Sequence, residues 1–187
     1  MSQTYRSRVS VLEDEATWTL APDALERVEA TAPALRLPYR DIAELRLVYD
    51  PTRFDTNRYR CDLTTVGGDR ATLMSTHYVS IGDFEDRAAS YSPFVRELVR
   101  RVGEAAPRCR FRAGKRAWVF WAEHIFLLTM LLLLAGVLMA IGNFPLPTIA
   151  AIKLAIIATY IPIAIKYARR NWPRAFSPDD VPRDLLP

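Results

Sequence analysis

The sequence contains few of the side chains that enzymes commonly use for metal binding or nucleophilic catalysis. Its 187 residues include only two cysteines and two histidines. Cys61 and Cys109 are far apart and belong to no C-x-x-C pattern, so their spacing predicts neither a metal site nor a disulfide framework. The chain also lacks a glycine-rich phosphate loop, a nucleophile elbow and a metal-binding helix motif. We therefore expect no cofactor, no metal centre and no enzymatic activity.

Ionisable side chains are absent from the stretch between Ile125 and Ile152. That stretch is longer than a bilayer crossing of roughly 20 residues requires. Because lipid offers no hydrogen-bond partner to free backbone groups, both apolar segments are expected to be helices. The sequence thus predicts a membrane hairpin with transmembrane helix 1 at 117–141, a short extracytoplasmic loop at 142–147 and transmembrane helix 2 at 148–167.

Basic residues flank the predicted hairpin, whereas its loop carries no charge. The positive-inside rule then places both termini in the cytoplasm, which predicts a multi-pass protein of the bacterial inner membrane. Residues 1–90 hold 11 basic and 15 acidic side chains, so nucleic acid is not an expected partner. The basic residues near the membrane are predicted to contact anionic lipid headgroups. They are Arg108, Arg110, Arg112, Lys115, Arg116, Arg169 and Arg170.

Four polar side chains lie inside the predicted crossings: Glu123, His124, Lys153 and Tyr160. Glu123 and Lys153 would differ in depth by about 12 Å, so they are not expected to pair. Tyr160 would lie at nearly the depth of His124 and is the better expected contact. Lys153 can extend outward to the headgroups, and Glu123 can remain near the inner headgroups or pair with a neighbour. A partner subunit or a proton path is the functional alternative for these intramembrane groups.

Residues before the hairpin alternate apolar and polar side chains, which predicts antiparallel strands. Two turn sequences, Ala21-Pro22-Asp23 and Gly67-Gly68-Asp69, each separate two such runs. Residues 83–87 suggest a short helical turn, and Ser92-Pro93 then resembles the start of an amphipathic helix. The predicted strands are 17–20, 24–29, 34–37, 41–49, 58–66 and 70–76.

This order of strands and helix resembles the pleckstrin-homology-like (PH-like) plan, and Leu37–Leu45 (LPYRDIAEL) is similar to a stretch of bacterial PH-like domains. The resemblance implies an α+β fold: an antiparallel PH-like β-barrel or sandwich capped by a C-terminal amphipathic helix, followed by the transmembrane α-helical hairpin. The remaining predicted parts are an N-terminal arm at 1–10, the PH-like domain at 11–106, a basic juxtamembrane linker at 107–116 and a Pro-rich cytoplasmic tail at 168–187.

The resemblance implies an interaction module, a membrane-anchored PH-like domain that binds a protein partner or forms a homo-oligomer. Two alternatives stay open: an anionic-lipid sensor, and an accessory subunit of a membrane enzyme or transporter that uses Glu123, His124 and Lys153. The first turn, Ala21-Pro22-Asp23, lacks the basic residues of phosphoinositide-binding PH domains. For the tail, packing onto the domain, docking on another protein and disorder are equal alternatives.

Overall fold

The chain forms two units, and the first combines both ends of the sequence. The computed structural model describes residues 3–9, 14–52, 55–80, 83–140, 162 and 164–187. Residues 1–114 together with 174–187 make the first unit, and residues 115–173 make the second. The tail therefore packs onto the domain, which is one of the three alternatives that the sequence left open.

Four antiparallel strands form the first sheet, in the order β1-β2-β3-β4. In β2 every second side chain is buried, so Trp18 and its two inward neighbours face the core while the threonines between them lie at the surface. The predicted hairpin around Pro22 is confirmed, because the Ala21 N–H donates to the Ala24 carbonyl at 3.0 Å. The strands are β1 (Gln3–Ser7), β2 (Ala16–Leu20), β3 (Ala24–Val28) and β4 (Leu35–Pro38).

A second antiparallel meander follows a short 3-10 turn at Tyr39–Asp41. Its hairpin turns at Gly67-Gly68, as predicted, and Gly68 has a φ of +94°, a conformation that glycine adopts without a Cβ clash. The register of β5 shifts between Ile42 and Glu44, which marks a β-bulge at Ala43. The strands are β5 (Ile42–Tyr49), β6 (Tyr59–Thr65) and β7 (Arg70–Met74).

Residues 83–87 do not form the predicted helical turn. They contribute β9 (Asp83–Asp86), which pairs with β8 (Thr76–Ser80) in a two-stranded hairpin. Tyr78 and Phe84 stand opposite each other in this hairpin, with ring centroids 5.6 Å apart. This cross-strand contact depends on pairing that a local sequence window does not reveal.

The amphipathic helix is present as α1 (Ala88–Ala105), and the apolar face that the sequence predicted is buried. It begins earlier than Ser92, at Ala88, whose N–H donates to the Asp86 carboxylate at 2.8 Å. The Ser92 hydroxyl instead donates to the Pro187 carbonyl at 2.8 Å. Pro93 lies within the helix.

Two further strands extend the second sheet to the order β11-β10-β5-β6-β7. β10 (Arg110–Ala113) comes from the predicted linker and pairs parallel with β5, and β11 (Arg174–Ala175) comes from the tail. Leu185 and Leu186 at the end of the tail are buried. The first unit thus takes in residues that the sequence assigned to a linker and to a tail.

Of the predicted β-barrel or sandwich, the barrel is wrong, because the described strands form three separate sheets and no barrel closes. One edge of β5 carries β10, so this edge is not open for pairing with the first sheet. An antiparallel sheet of four strands, a meander of three and a following helix are nevertheless all present.

The second unit contains α2 (Ala117–Ala140) and a helical segment at residues 164–171. Within the described part of the chain, no helix is both long enough and apolar enough to cross a membrane. The finding overturns the predicted transmembrane hairpin and the predicted multi-pass inner-membrane location. Within α2, the apolar residues that follow Glu123 and His124 are fewer than the roughly 20 residues of a crossing. Residues 141–161, with the predicted loop and most of the second crossing, lie outside the described residues.

Candidate functional site

The predicted lipid-contact residues of the first unit lie on β10 and just before it. Along β10, Phe111 and Ala113 are buried while Arg110 and Arg112 are exposed, because alternate side chains point to opposite faces of a strand. Arg108 is exposed as well. The predicted linker therefore presents its arginines on an ordered strand face.

Two of these arginines border a groove that the sequence did not predict. It has a volume of about 490 Å³ and lies where the end of α1 passes the start of β5. Its floor is apolar, with buried side chains, and its rim carries three arginines. We call it the basic groove and define it by Arg40, Ile42, Val66, Ala106, Arg108 and Arg110.

Lys115, a predicted headgroup contact, forms an ion pair within the second unit. Its Nζ lies 2.6 Å from Glu123 Oε1, and only 17% of its side chain is exposed. The other carboxylate oxygen, Oε2, accepts a hydrogen bond of 2.9 Å from the Tyr167 hydroxyl. Both oxygens of Glu123 are thus occupied by partners from the same unit. We call these three residues the Lys115–Glu123–Tyr167 cluster.

The remaining predicted site residues of the second unit take several positions. Arg116 and Arg169 are exposed, and Arg170 is half-buried. Lys153 and Tyr160 lie outside the described residues.

His124 lies beside this cluster and contacts Phe120. Its Nδ1 is 2.7 Å from the Phe120 carbonyl. A carbonyl only accepts hydrogen bonds, so Nδ1 carries the proton in this arrangement. The His124 ring stacks on Phe120 at 4.0 Å and lies 6.4 Å from the ring of Tyr167.

A ring cluster and one backbone hydrogen bond hold the helical segment 164–171 and the residue after it against the start of α2. Trp172 lies 5.5 Å from Phe120 and 6.2 Å from Trp121, measured between ring centroids. The Lys115 N–H donates to the Asn171 carbonyl at 3.1 Å. These contacts fix the approach of Tyr167 to Glu123.

The cluster is suited to holding two segments together and poorly suited to proton transfer. Burial acts to lower the pKa of Lys115, but its hydrogen bonds to Glu123 and Tyr167 raise that pKa overall. Burial raises the pKa of the Tyr167 phenol. At neutral pH the amine therefore stays charged and the phenol stays protonated, whereas a general acid or base works best with a pKa near the operating pH.

Beyond this cluster, α2 presents an apolar surface. The helix is apolar around its whole circumference. Its Thr129 hydroxyl donates to the Ile125 carbonyl at 2.9 Å, so that polar group is satisfied within the helix. We call the exposed large side chains the α2 surface. Its members are Trp118, Trp121, Ile125, Phe126, Leu127, Leu128, Met130, Leu132, Leu133 and Val137.

The weaker candidates from the sequence have structural roles. Arg58 and Arg60 each lie within 4 Å of an Asp50 carboxylate oxygen, at 3.8 and 3.5 Å, so both take part in structural ion pairs. Burial raises the pKa of both thiols, that of Cys109 to about 11, so neither is an activated nucleophile. The described residues include no group of three or more potential metal ligands.

The sequence analysis missed Tyr167 as the partner of Glu123. In an antiparallel arrangement, a residue near the start of one helix faces a residue near the end of the next. Glu123 lies two turns into α2, and Tyr167 lies about one turn before residue 171. Counting inward from both ends would have selected Tyr167 as the partner of Glu123.

Comparison of the chain with protein-family models, curated proteins and solved structures found no match.

Proposed function

We propose that this protein is an interaction or assembly module that binds a protein partner, with the α2 surface as the main contact. The observation that carries the proposal is the exposure of many large apolar side chains on one helix. Monomeric proteins rarely expose contiguous apolar patches of that kind, and such patches mark interaction sites. A helix that is apolar on all sides normally lies against other apolar groups.

The polar groups of α2 support the same proposal. Glu123 is already paired with Lys115 and Tyr167, and Thr129 is bonded to its own helix. A partner therefore meets apolar side chains without having to bury an unpaired carboxylate, which would be costly. This pairing also weakens the alternative of an accessory subunit, because both oxygens of the Glu123 carboxylate already accept hydrogen bonds, from Lys115 and from Tyr167.

We further propose that the first unit is a PH-like recognition domain. This proposal is supported by the order of the elements along the chain: a four-stranded antiparallel sheet, a three-stranded meander and an amphipathic helix with a buried apolar face. The resemblance to PH-like domains implies an interaction module, which agrees with the function proposed for the α2 surface.

The test is purification of the tagged full-length protein from its native cells in mild detergent. We expect a protein partner, or a second, differently tagged copy of the chain, at a fixed stoichiometry. Leu128→Asp should abolish its retention, because Leu128 is 58% exposed on α2. Val28→Asp is the matched control, since Val28 is 57% exposed in the first unit.

Retention that is unchanged in Leu128→Asp would contradict the proposal, as would an equal loss in Val28→Asp. Circular dichroism of each variant confirms that the fold is retained.

The exposed arginines favour one second candidate, an anionic-lipid sensor. Arg110 and Arg112 are exposed on the same face of β10, and Arg108 lies just before it. Selective binding of the full-length protein to anionic vesicles, with no co-purifying protein, would favour that function over the first.

A further inference from the structure

The basic groove of the first unit combines an apolar floor with a cationic rim. Ile42 and Ala106 are buried beneath it, whereas Val66 is 79% exposed at its edge. No carboxylate is among its lining residues. A ligand that fits this groove therefore needs both apolar contact area and negative charge.

The rim arginines differ in how far their charge is already neutralised. Arg40 Nε lies 3.8 Å from Asp41 Oδ1, and Arg110 Nη2 lies 3.6 Å from Glu44 Oε2. Both pairs are long and have an exposed arginine, so they contribute little and leave the guanidinium groups available. Arg108 has no ion-pair partner within the described part of the chain.

One wall of the groove is an incomplete strand edge. The parallel ladder between β10 and β5 begins only at Arg110 opposite Glu44, so Ile42 and Ala43 extend beyond it. Ala43 also lacks a partner in β6, because Ile42 pairs with Thr65 and Glu44 with Thr64. The Ile42 N–H already donates to the Tyr39 carbonyl, so an extended backbone placed here would pair with Ala43, the residue that belongs to neither ladder.

We infer that the basic groove binds an extended, acidic segment of a partner protein. The inference rests on the proposed interaction function and adds the chemistry of the recognised segment. Carboxylates of the segment pair with Arg108 and Arg110 in charge-assisted hydrogen bonds. Its backbone lies along Ile42 and Ala43, and its apolar side chains cover the floor. A lipid headgroup offers the charge but no backbone to pair with the strand edge.

The test measures binding of a fluorescent peptide of about eight residues, in which glutamate alternates with valine, to the full-length protein in mild detergent. The double variant Arg108→Glu/Arg110→Glu should raise the Kd about tenfold or more. Arg112→Glu is the matched control, because Arg112 is an exposed arginine of the same strand that does not line the groove. The control should bind as the wild type does.

Three outcomes would overturn the inference. The first is no binding of the peptide by the wild type, while co-purification still identifies a partner that depends on Leu128. The second is an equal loss in Arg112→Glu, which would indicate non-specific attraction. The third is that the wild type binds phosphatidylglycerol vesicles but not the peptide, and that the double variant loses this vesicle binding.

A peptide with glutamine in place of glutamate should bind more weakly than the glutamate peptide. Added salt should weaken binding of the glutamate peptide most.

Discussion

The end of the tail contributes to the core of the first unit, and this contribution is measurable. Leu185 is 0% exposed. Leu185→Ala removes three buried carbon atoms, which costs about 2.4 kcal/mol in transfer free energy, and the cavity adds to this. We expect the free energy of unfolding of the first unit to fall by about 3 kcal/mol.

A single tryptophan makes this change observable. The chain has four tryptophans, and only Trp18, which is 2% exposed, belongs to the first unit. Replacing the other three with phenylalanine leaves Trp18 fluorescence as a reporter of that unit. With a urea slope of about 2 kcal/mol per molar, Leu185→Ala should lower the unfolding midpoint by about 1.5 M.

Asp184→Asn is the control for this experiment. Asp184 accepts two hydrogen bonds of 2.6 Å from the Arg174 guanidinium, but both side chains are more than one third exposed. Such a pair contributes at most about 1 kcal/mol. If Leu185→Ala shifts the midpoint no more than Asp184→Asn does, the tail is not part of the core and the reasoning fails.

Three further changes test separate contacts. The pKa of Glu97 is lowered from 4.5 to about 2, mainly by a hydrogen bond from Arg100. The ionised carboxylate therefore stabilises the fold above pH about 4.5, and this stabilisation is lost as the pH falls towards 2. Glu97→Gln should flatten the fall in unfolding free energy across that window, and an unchanged slope in acid titration would count against the ion pair. Gly103→Ala should destabilise the first unit, because the new Cβ would lie 2.8 Å from Pro178 Cβ. This clash should outweigh the higher helix propensity of alanine, which is worth about 1 kcal/mol. A higher melting temperature of the variant would contradict the contact. Glu123→Gln should weaken the contact between the start of α2 and the helical segment 164–171. Amide exchange of the Lys115 N–H, which donates to the Asn171 carbonyl, should then become about tenfold faster. Unchanged exchange by mass spectrometry would show that the Lys115–Glu123–Tyr167 cluster does not stabilise this contact.

Local patterns in the sequence were sufficient for the hairpins and for the main helix. The turns at Pro22 and Gly68 and the apolar face of α1 follow from residues close together in the chain. The strand at residues 83–86 was missed because its pattern is short and its stabilising contact, between Phe84 and Tyr78, lies across a hairpin. Short segments carry too little periodicity to separate a strand from a helical turn.

The membrane prediction depended on continuity of apolar residues through 125–152. It was wrong for the described helices, because α2 includes Glu123 and His124 and no described helix meets the requirements of a crossing. The pattern did correctly mark α2 as an apolar helix. For Glu123 the sequence left contact with headgroups, a neighbouring side chain and a partner subunit open, and the structure pairs it with Lys115 and Tyr167.

Composition and spacing alone determined where strands alternate, where the chain turns, and which helix has one apolar face, because these properties depend on residues within a few positions of each other. Tertiary structure decided everything that joins distant segments. It brought the tail to the second sheet as β11, placed β10 beside β5, and set Arg40 and Arg108 on the rim of one groove. Pairing between distant strands and grooves between elements depend on packing of the whole unit, which no local window of sequence contains.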